Sequence, residues 1–589
     1  MSCQSGGGDP PHRSREPVLD EFRFDINRRR FLQCFSAGGL ALMPGALAAV
    51  AGDADLITRE MLEAAQSIAG ISFTPQEQER ILARLNGSAG PLPGFDVLRE
   101  ADLGDLPPAM VFNPVVPGTS IPTERRPFRR QLREVSLPAT DRELAYLPVT
   151  HLSRLVETRQ VKPSELTELY LDRLRRFDPV LFCVVELTEE MARRQARQAD
   201  DEIAAGIYRG PLHGIPWAIK DLFAIRGTRT TWGMSPYRDR AIDQDSTVYE
   251  RLTDAGAILV AKVSTGALAT TARWFGGRTR SPWNTERDAA GSSAGSGAAM
   301  AAGLAAFTIG TDTGGSIIGP STRNGVTGIR PSFGRVSRHG GMVLSWTQDT
   351  VGPICRSSED CALVLDVIQG PDGRDNSVMD LPFNFDATTD VSRLRVGYLR
   401  SSFEGEIPES PGEPEAAEVE RATRANNRQA LEVIRSLGIE PVPFDLPDVS
   451  IAGIDLIRFV ETAAFFEDAT RRGDLTLVEE GPERSVRPIE IRSAWFTPAV
   501  AYIQANRYRM RAMQQMTEAM SGLDLFVGSR LPLTNRLGNP VVALPSGFFR
   551  DWPTSLHLTG RLFADAEILE LAHAFQRATD HHMKHPPEF

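Results

Sequence analysis

The sequence has little cysteine, little histidine and no excess of basic residues. Five cysteines occur in 589 residues, and none forms a Cys-x-x-Cys pair or lies beside a histidine, so the common zinc-binding patterns are absent. Acidic residues outnumber basic ones by 76 to 65, which gives a formal net charge of -11. A nucleic-acid-binding surface needs a basic face, and this balance argues against one. Cys355 and Cys361 lie close in sequence and fit two small buried thiols, with a disulfide as the alternative in an exported protein.

Long apolar runs are also missing. The most extended one, Cys34–Ala51, is short and is broken by glycine and proline, so it does not fit a membrane span. It follows Arg28-Arg29-Arg30-Phe31-Leu32, which resembles a bacterial twin-arginine signal, and Ala49-Val50-Ala51 offers a cleavage site. We predict that residues 1–51 are an export signal and that the mature protein lies in the periplasm without a stable membrane span. A retained membrane anchor or an amphipathic helix is the alternative.

Two regions follow this segment. Residues 53–87 predict two short helices, the second of which starts at Thr74-Pro75-Gln76-Glu77 with an N-cap, a proline in the first turn and a capping-box glutamate. Residues 88–145 are rich in proline, glycine and arginine and predict an extended surface arm. We therefore assign 52–145 to a helical N-terminal extension with its arm, and 146–585 to the main domain.

The main domain alternates between strand and helix signals. Short apolar runs predict buried strands at Ile215–Ile219, Ile258–Val260 and Leu394–Tyr398. Helical spacing predicts helices at Val248–Ala255, Ser357–Ile368 and Arg421–Leu437. The alternation predicts an α/β fold, with a mixed, mostly twisted central sheet flanked by helices on both faces. Residues 403–416 predict an exposed acidic loop, and 451–520 predict a helical region whose aromatic residues belong to a substrate pocket or to the core.

Residues 288–319 contain the candidate catalytic serines. Two glycine-serine loops, around Ser292 and Ser316, flank a helix of small residues. Glycine lets consecutive backbone N–H groups converge on one point, as an oxyanion hole requires, and a serine there can attack a carbonyl. A flexible linker is the plain alternative. Gly291–Gly295 also fits a G-x-S-x-G elbow with Ser293 as nucleophile, although that elbow should follow a buried strand and a polar segment precedes it here.

A nucleophilic serine needs a base. The chain has nine histidines, two of them in a polar tail, and Lys220 ends the apolar run of a predicted strand. Burial disfavours the ammonium form and lowers a lysine pKa, which makes the neutral amine a usable base near pH 7. On spacing alone, a solvated lysine at a strand end is the favoured interpretation.

Together, these segments resemble the amidase signature family, and they follow one another in the family's order. The matching segments are Pro211–Asp221, Asp254–Lys262, Ala290–Ala298, Gly310–Ile317, Gly328–Pro331, Gly334–Ser337, Asp349–Pro353 and Gly538–Gly547. The resemblance covers about residues 145–580, so it implies that 146–585 is a catalytic domain.

The resemblance implies a Ser-Ser-Lys triad. Ser316 would be the nucleophile, Ser292 the bridging serine after a cis peptide bond, and Lys220 the neutral base. The oxyanion would be held by the backbone N–H groups of Thr313, Gly314, Gly315 and Ser316, with Ser293 and Asp312 supporting the loops. His213 also matches a position in the family, where it is not the base, and we interpret it as a structural residue. No metal and no organic cofactor is implied.

The sequence departs from the family in three places. Ile318 stands where the family has arginine after Gly-Gly-Ser-Ile, Arg323-Asn324 replace a Phe-Cys pair, and Ala290 and Ala294 replace glycines. The loss of a cation near the nucleophile favours a less polar substrate.

The resemblance implies an exported amidase that cleaves a small-molecule amide C–N bond through an acyl-enzyme on Ser316. Ester or carbamate hydrolysis uses the same machinery. A glutaminase subunit of a tRNA-dependent amidotransferase is one alternative, and a catalytically silent binding protein is another. The expected partner is a small-molecule amide rather than a nucleic acid, and a homodimer is left open.

Overall fold

The fold is described from a computed structural model, which covers residues 57–86, 109–119, 121–131, 133–405, 407, 414–550 and 552–589. The predicted export signal, 1–51, lies outside the described residues. The described chain divides into two compact units. One holds 57–86 and 467–474, and the other holds the remaining described residues.

The smaller unit contains the helices expected in 53–87. They are α1 (Arg59–Ala69) and α2 (Pro75–Asn86). The predicted capping box is present, because the Thr74 N–H donates to the Glu77 carboxylate at 2.7 Å and the Glu77 N–H donates to Thr74 Oγ1 at 3.3 Å. A short helix at Glu467–Arg472 belongs to the same unit.

The larger unit is built on an eleven-stranded mixed sheet, with strand order β1-β3-β2-β8-β10-β9-β14-β15-β13-β11-β12. These strands are β1 (Val184–Leu187), β2 (Pro216–Lys220), β3 (Ile258–Val263), β8 (Phe307–Asp312), β9 (Thr327–Arg330), β10 (Thr350–Cys355), β11 (Val396–Leu399), β12 (Val442–Phe444), β13 (Leu525–Val527), β14 (Val541–Phe549) and β15 (Trp552–Gly560). Two small hairpins pair β4 (Arg273–Trp274) with β5 (Gly277–Arg278), and β6 (Arg280–Ser281) with β7 (Asn284–Asp288). The sheet confirms the predicted fold class.

Helices of the larger unit pack against its sheet and against one another. In chain order, the remaining helices, of which α14 belongs to the smaller unit, are α3 (Asp141–Ala145), α4 (Val149–Glu157), α5 (Pro163–Leu181), α6 (Glu189–Ala204), α7 (Thr247–Asp254), α8 (Ala294–Ala301), α9 (Ile318–Asn324), α10 (Ser358–Ile368), α11 (Arg400–Phe403), α12 (Pro414–Ser436), α13 (Ile451–Phe465), α14 (Glu467–Arg472), α15 (Asp474–Glu480), α16 (Arg487–Ala494), α17 (Ala499–Ala519), α18 (Leu531–Leu537) and α19 (Asp565–Ala578). No helix among the described residues is long and apolar enough to cross a membrane.

Two neighbouring parallel strands bring the candidate site together. Every residue of β2 is buried, and β2 runs parallel to β8 with Trp217 paired to Phe307 and Ile219 to Ile309. The rings of Trp217 and Phe307 stack with centroids 5.7 Å apart. Because parallel strands end at the same edge of a sheet, the carboxyl ends of β2 and β8 lie side by side. This arrangement places Lys220 next to the loop that follows β8.

The predicted strands and helices match observed elements, with two corrections to predicted irregular segments. The predicted loop over 403–416 ends earlier than expected, because α12 begins at Pro414. Proline is favoured in the first turn of a helix, so the proline-rich composition hid this start.

The predicted arm over 88–145 also ends earlier than expected, because helix α3 (Asp141–Ala145) lies within it and starts at a Thr140–Glu143 capping box. The described part of 109–140 contains no helix, and its one strand-like contact is an isolated bridge between Arg129 and Asp386.

The cysteines of the described chain are free and buried. Cys355 and Cys361 are both fully buried thiols, and the Cys361 thiol lies 3.6 Å from the Thr327 carbonyl oxygen. Burial raises the pKa of the Cys355 thiol. The structure therefore agrees with two structural thiols.

Candidate active site

Lys220 lies at the end of β2, and its side chain is completely buried. Its Nζ is 2.8 Å from Ser292 Oγ, 2.8 Å from Thr311 Oγ1 and 3.0 Å from Ser293 Oγ. A neutral amine has two N–H donors and one lone pair, so it can donate to two of these hydroxyls and accept a hydrogen bond from the third. This geometry allows the amine to take a proton from a neighbouring serine.

Burial lowers the pKa of Lys220 to about 7, although the carboxylates of Asp312 and Asp349 act in the opposite direction. Desolvation disfavours the ammonium form, which explains the sign of the shift. Near pH 7, a large share of the molecules therefore carry an uncharged amine at this position.

The serine loop joins β7 to α8. The peptide bond between Gly291 and Ser292 is cis, as the resemblance implies, and Ser292 is fully buried. The next residue, Ser293, donates its backbone N–H to the Ser316 carbonyl oxygen at 3.2 Å and its hydroxyl to the Thr311 carbonyl oxygen at 3.1 Å. These two bonds tie the serine loop to the loop after β8.

Asp312 ends β8, and its carboxylate organises that second loop. One oxygen accepts the N–H of Gly315 at 2.7 Å and the side-chain amide of Asn535 at 2.8 Å. The other accepts the N–H groups of Ile317 at 2.7 Å and Ile318 at 3.3 Å. Gly315 has φ +121°, a conformation that only glycine adopts without strain. The carboxylate and the glycine together set the sharp turn that presents Ser316.

Arg330 supports Asp312 from the interior. Its guanidinium is fully buried and donates to the Asp312 carbonyl oxygen at 2.8 Å, and Nη1 lies 3.8 Å from the Asp312 carboxylate. It also donates to the carbonyl oxygens of Gln348 at 3.2 Å and Asn535 at 2.8 Å. Burial lowers the pKa of Arg330 to about 10, and the nearby Asp312 opposes that shift. The cation therefore stays charged and holds the base of the loop.

The tip of the loop is accessible. Gly314 is exposed, Ser316 is partly exposed, and Ser292 and Ser293 are fully buried. Of the four expected oxyanion donors, the Gly315 N–H donates to Asp312 in this structure. Ser316 is thus the serine of the predicted set that a substrate can reach directly.

A second carboxylate holds Thr313. Its hydroxyl donates to Asp349 at 2.6 Å, and Asp349 also accepts the N–H groups of Leu344 and Ser345. Burial raises the pKa of Asp349, while the Thr313 hydroxyl and the two N–H groups lower it. Asp349 therefore fixes the conformation of Thr313 beside the nucleophile loop.

The loop 344–349 is bonded to helix α13 through Glu461, which is 4% exposed. This carboxylate accepts the hydroxyls of Ser345, Thr347 and Tyr502, the last at 2.9 Å. Burial raises the pKa of Tyr502 to a value well above its usual range, and Glu461 acts in the same direction. Helix α13 therefore helps to hold the loop that carries Asp349.

Sequence reasoning missed several of these supporting residues. Asp349 and Arg330 lie in segments that carry the family resemblance. Their position in those segments could have indicated that they support the site. Thr311 directly precedes Asp312, and its role follows only from its contact with Lys220. Asn535 is 223 residues from Asp312 and no local pattern indicates their pairing.

Two departures from the family have a structural explanation. Ile318 is fully buried in an apolar cluster with Ile317, Met300 and Val541. Asn324 donates to the carbonyl oxygens of Ala289 and Pro320, both at 2.8 Å. Both residues are therefore integral to the packing around helix α9.

The expected loss of a cation near the nucleophile is corrected by the structure. Arg536 of α18 donates from Nη1 to the Thr313 carbonyl oxygen at 2.8 Å. A guanidinium thus lies against the nucleophile loop although position 318 is apolar. No sequence pattern indicates this, because Arg536 comes from a helix more than two hundred residues later.

Aromatic residues gather beside Lys220, within the larger unit. The backbone N–H of Trp232 donates to the Asp221 carbonyl oxygen at 3.2 Å. Its ring contacts Phe465 with centroids 5.5 Å apart, and Phe465 contacts Trp346 at 6.0 Å. All three rings are partly exposed. Phe465, from the predicted helical region 451–520, therefore belongs to an aromatic cluster that is linked through Trp232 to the residue after Lys220. The other apolar residues of that region include buried core residues such as Ile457 and exposed ones such as Val500.

His213 and His557, two histidines of the described chain that contact polar side chains, do not belong to a Ser-His-carboxylate triad. His213 is 1% exposed, lies 3.1 Å from Glu202 and accepts the Arg209 N–H, which fits its structural interpretation. His557 has Nδ1 2.6 Å from Ser529 Oγ, but its other ring nitrogen faces Thr322 rather than a carboxylate. Among the described residues, no cluster of histidine, cysteine and acidic side chains could hold a metal ion.

Known proteins share this arrangement of sequence and fold. The family described as Amidase matches residues 165–528, more than half of the chain. A glutamyl-tRNA(Gln) amidotransferase subunit from Moorella thermoacetica is 30% identical over 498 residues, covering 75% of this chain and 99% of that protein. The corresponding subunit from Azoarcus sp. is 32% identical over 495 residues, covering 74% and 99%.

A solved structure extends the comparison. The peptide amidase of Stenotrophomonas maltophilia superposes with a TM-score of 0.64 at 27% identity, covering 75% of this chain and 98% of that one. On the family match, the relatives and the shared fold, this chain belongs to the amidase signature family.

Proposed function

We propose that this chain hydrolyses small-molecule amides through an acyl-enzyme on Ser316. Ser316 Oγ attacks the carbonyl carbon, passes its proton to Ser292, and Ser292 passes its own proton to the neutral Lys220 amine. The resulting oxyanion is stabilised by backbone N–H groups of the loop, with Thr313, Gly314 and Ser316 as the available donors in this conformation.

The tetrahedral intermediate then collapses. The C–N bond breaks as the lysine proton returns through Ser292 to the leaving nitrogen, which departs as a neutral amine or ammonia. Water attacks the ester of Ser316, giving its proton to the same relay, and the carboxylic acid leaves with Ser316 restored. Esters and carbamates fit the same steps.

One observation carries this proposal. The Lys220 amine is fully buried, lies 2.8 Å from Ser292 Oγ and has its pKa lowered to about 7. Among the described residues, no carboxylate forms a direct ion pair with Lys220, although Asp312 and Asp349 lie close enough to act on its pKa. A buried ammonium without such a contact is costly to keep for structure alone. Its burial is explained when the neutral amine serves as a base.

Labelling with a fluorophosphonate probe tests the nucleophile. We expect one covalent label on Ser316 of the wild-type protein, because its hydroxyl is both accessible and activated. The label is expected to disappear in Ser316→Ala and to form much more slowly in Lys220→Ala. Peptide mapping by mass spectrometry locates the modified residue.

Ser293→Ala is a comparison variant for the elbow hypothesis. A label that maps to Ser293, and disappears in Ser293→Ala but not in Ser316→Ala, would contradict the proposal and favour the elbow. Absence of any label together with no hydrolysis across an amide library would favour a silent binding protein.

A glutaminase subunit is the second candidate. It is supported by the amidotransferase subunits, which are aligned over 98–99% of their own length. A glutaminase subunit would co-purify with partner subunits and release ammonia from glutamine for transfer to glutamyl-tRNA. A protein that purifies alone and hydrolyses other amides faster than glutamine would support the amidase.

Export by the twin-arginine route is also a proposal, supported by the sequence Arg28-Arg29-Arg30-Phe31-Leu32. Changing Arg28 and Arg29 together to lysine is expected to retain the full-length protein in the cytoplasm, because this pair forms the signal's recognised element. Arg30→Lys is the matched control and is expected to export normally. Cell fractionation of an expressing bacterium measures this, and unchanged export of the double variant would overturn the proposal.

A further inference from the structure

The described part of the arm places an aromatic ring against a buried cation. Phe112 lies in the segment 109–119, which precedes the region matched by the Amidase family. Its ring covers the guanidinium of Arg509 on helix α17, whose Cζ lies 3.8 Å from the ring centroid. Phe112 also makes an edge-to-face contact with Phe333, with ring centroids 5.1 Å apart. An aromatic face attracts a cation, and this attraction is stronger where water is excluded.

Arg509 is 2% exposed and donates hydrogen bonds to two segments of the chain. Its Nη1 donates to Thr347 Oγ1 at 3.0 Å and to the Thr347 carbonyl oxygen at 3.3 Å, and its Nη2 donates to Asn506 Oδ1 at 2.8 Å. Burial lowers the pKa of Arg509 to about 10, while the charge of Glu461 acts in the opposite direction. The side chain therefore remains a cation near pH 7, and the ring of Phe112 stabilises it.

Thr347 connects this cation to the nucleophile loop. Its hydroxyl donates to the Glu461 carboxylate at 3.0 Å and its backbone N–H donates to the same group at 3.2 Å, so Thr347 is held between Glu461 and Arg509. Two residues later, Asp349 accepts the hydroxyl of Thr313 at 2.6 Å. A shift of Thr347 would therefore move Asp349 and, through it, the loop that presents the nucleophile.

Neighbouring residues of the arm keep Phe112 in place. Pro114 and Val116 line a small groove together with Met513 of α17. Val116 packs against the apolar cluster that contains Met513, and Phe112 packs against the same cluster. By contrast, the side chain of Val111 is 49% exposed. The ring of Phe112 is thus a specific contact of the arm, and Val111 offers a matched control.

We propose that Phe112 is a positioning residue for the nucleophile loop, which acts through Arg509 and Thr347 on Asp349. A segment outside the region matched by the family then completes the support of the catalytic serine. This inference rests on the proposed role of Ser316 as nucleophile.

Kinetics of arm variants test the positioning role. Phe112→Ala is expected to slow fluorophosphonate labelling of Ser316 and to lower kcat for amide hydrolysis by about three- to tenfold, a range that a desolvated cation–π contact can account for. The KM is expected to change little, because no group at the site itself is removed. Phe112→Leu keeps apolar volume without an aromatic face and should stay slow, whereas Phe112→Tyr should restore both rates. Val111→Ala is the control and should match the wild type.

A double-mutant cycle tests the route through Thr347. Thr347→Val removes the hydroxyl that accepts from Arg509 and donates to Glu461. If Phe112 acts through this contact, the double variant Phe112→Ala, Thr347→Val should be little slower than the slower single variant. Independent losses that multiply would contradict the route. A lower Tm with an unchanged kcat in Phe112→Ala would show that the ring has only a structural role, and this result would overturn the inference.

Hydrogen–deuterium exchange follows the same contacts without catalysis. Phe112→Ala is expected to speed exchange of the backbone N–H groups of Leu344 and Ser345, which donate to Asp349. Exchange in strand β2 should stay unchanged and serves as the internal reference. Faster exchange in a protein that neither labels nor hydrolyses amides would contradict the proposed function and keep the positioning contact. Unchanged exchange and unchanged rates in an active enzyme would overturn the inference and leave the function intact.

Discussion

Lys220→Met is expected to lower kcat/KM for amide hydrolysis by about 100- to 10,000-fold, the usual contribution of a general base. Methionine has a similar length but cannot accept a proton. Ser292 would therefore lose the group that accepts its hydroxyl proton. The change is measured in steady-state hydrolysis, with thermal unfolding recorded in parallel to confirm that the variant folds.

Lys220→Arg separates the charge of the side chain from its basicity. A guanidinium stays protonated at every accessible pH, so this variant is also expected to be inactive although it keeps a cation. The double variant Lys220→Met, Ser316→Ala should be no slower than Ser316→Ala, because the two residues act as one unit. Near wild-type activity in Lys220→Arg would show that the lysine contributes only a charge.

Asp312→Asn is expected to have the second-largest effect, and it acts on both stability and activity. The carboxylate accepts four hydrogen bonds and is an ion-pair partner of the fully buried Arg330. In asparagine, an NH₂ group would replace one of the accepting oxygens and would face N–H donors of the loop. The Arg330 guanidinium would also lose the negative charge of Asp312. Breaking such a buried pair costs about 3–5 kcal/mol in the free energy of unfolding.

Urea unfolding and the rate of fluorophosphonate labelling measure the two effects of Asp312→Asn. Asp172→Asn is the control, since this side chain is 72% exposed and pairs with Arg175 on the same helix. A surface pair contributes about 0–1 kcal/mol, so little change is expected there. If Asp312→Asn kept both its stability and its labelling rate, the loop would have to be held by other contacts.

The central residues of the site could be predicted because they lie in local patterns. Ser292 and Ser316 stand in glycine-rich loops, and Lys220 closes a buried strand. Each local pattern has another interpretation, and the three residues are selected together only by the ordered resemblance to the amidase signature family. The strand order that joins them could not be read from the sequence, yet the parallel pairing of β2 and β8 brings them together.

The supporting contacts could not be predicted, because they join residues far apart in the chain. The carboxylate of Asp312 meets Asn535, and the carbonyl oxygen of Thr313 meets Arg536, each across 223 residues. The absence of arginine at position 318 favours a neutral surrounding for the nucleophile. Instead, the guanidinium of Arg536, from another helix, lies against the nucleophile loop. The residues next to Ser316 in the sequence cannot reveal this contact.

The pH dependence of Ser316 labelling tests the central claim most directly. If the neutral Lys220 amine is the base, the labelling rate should be low below pH 6, rise through an apparent pKa of about 7 and level off above it. The residual rate of Lys220→Met should show no rise in that range. An equal rise through pH 7 in Lys220→Met would contradict the account, because another group would then be the base.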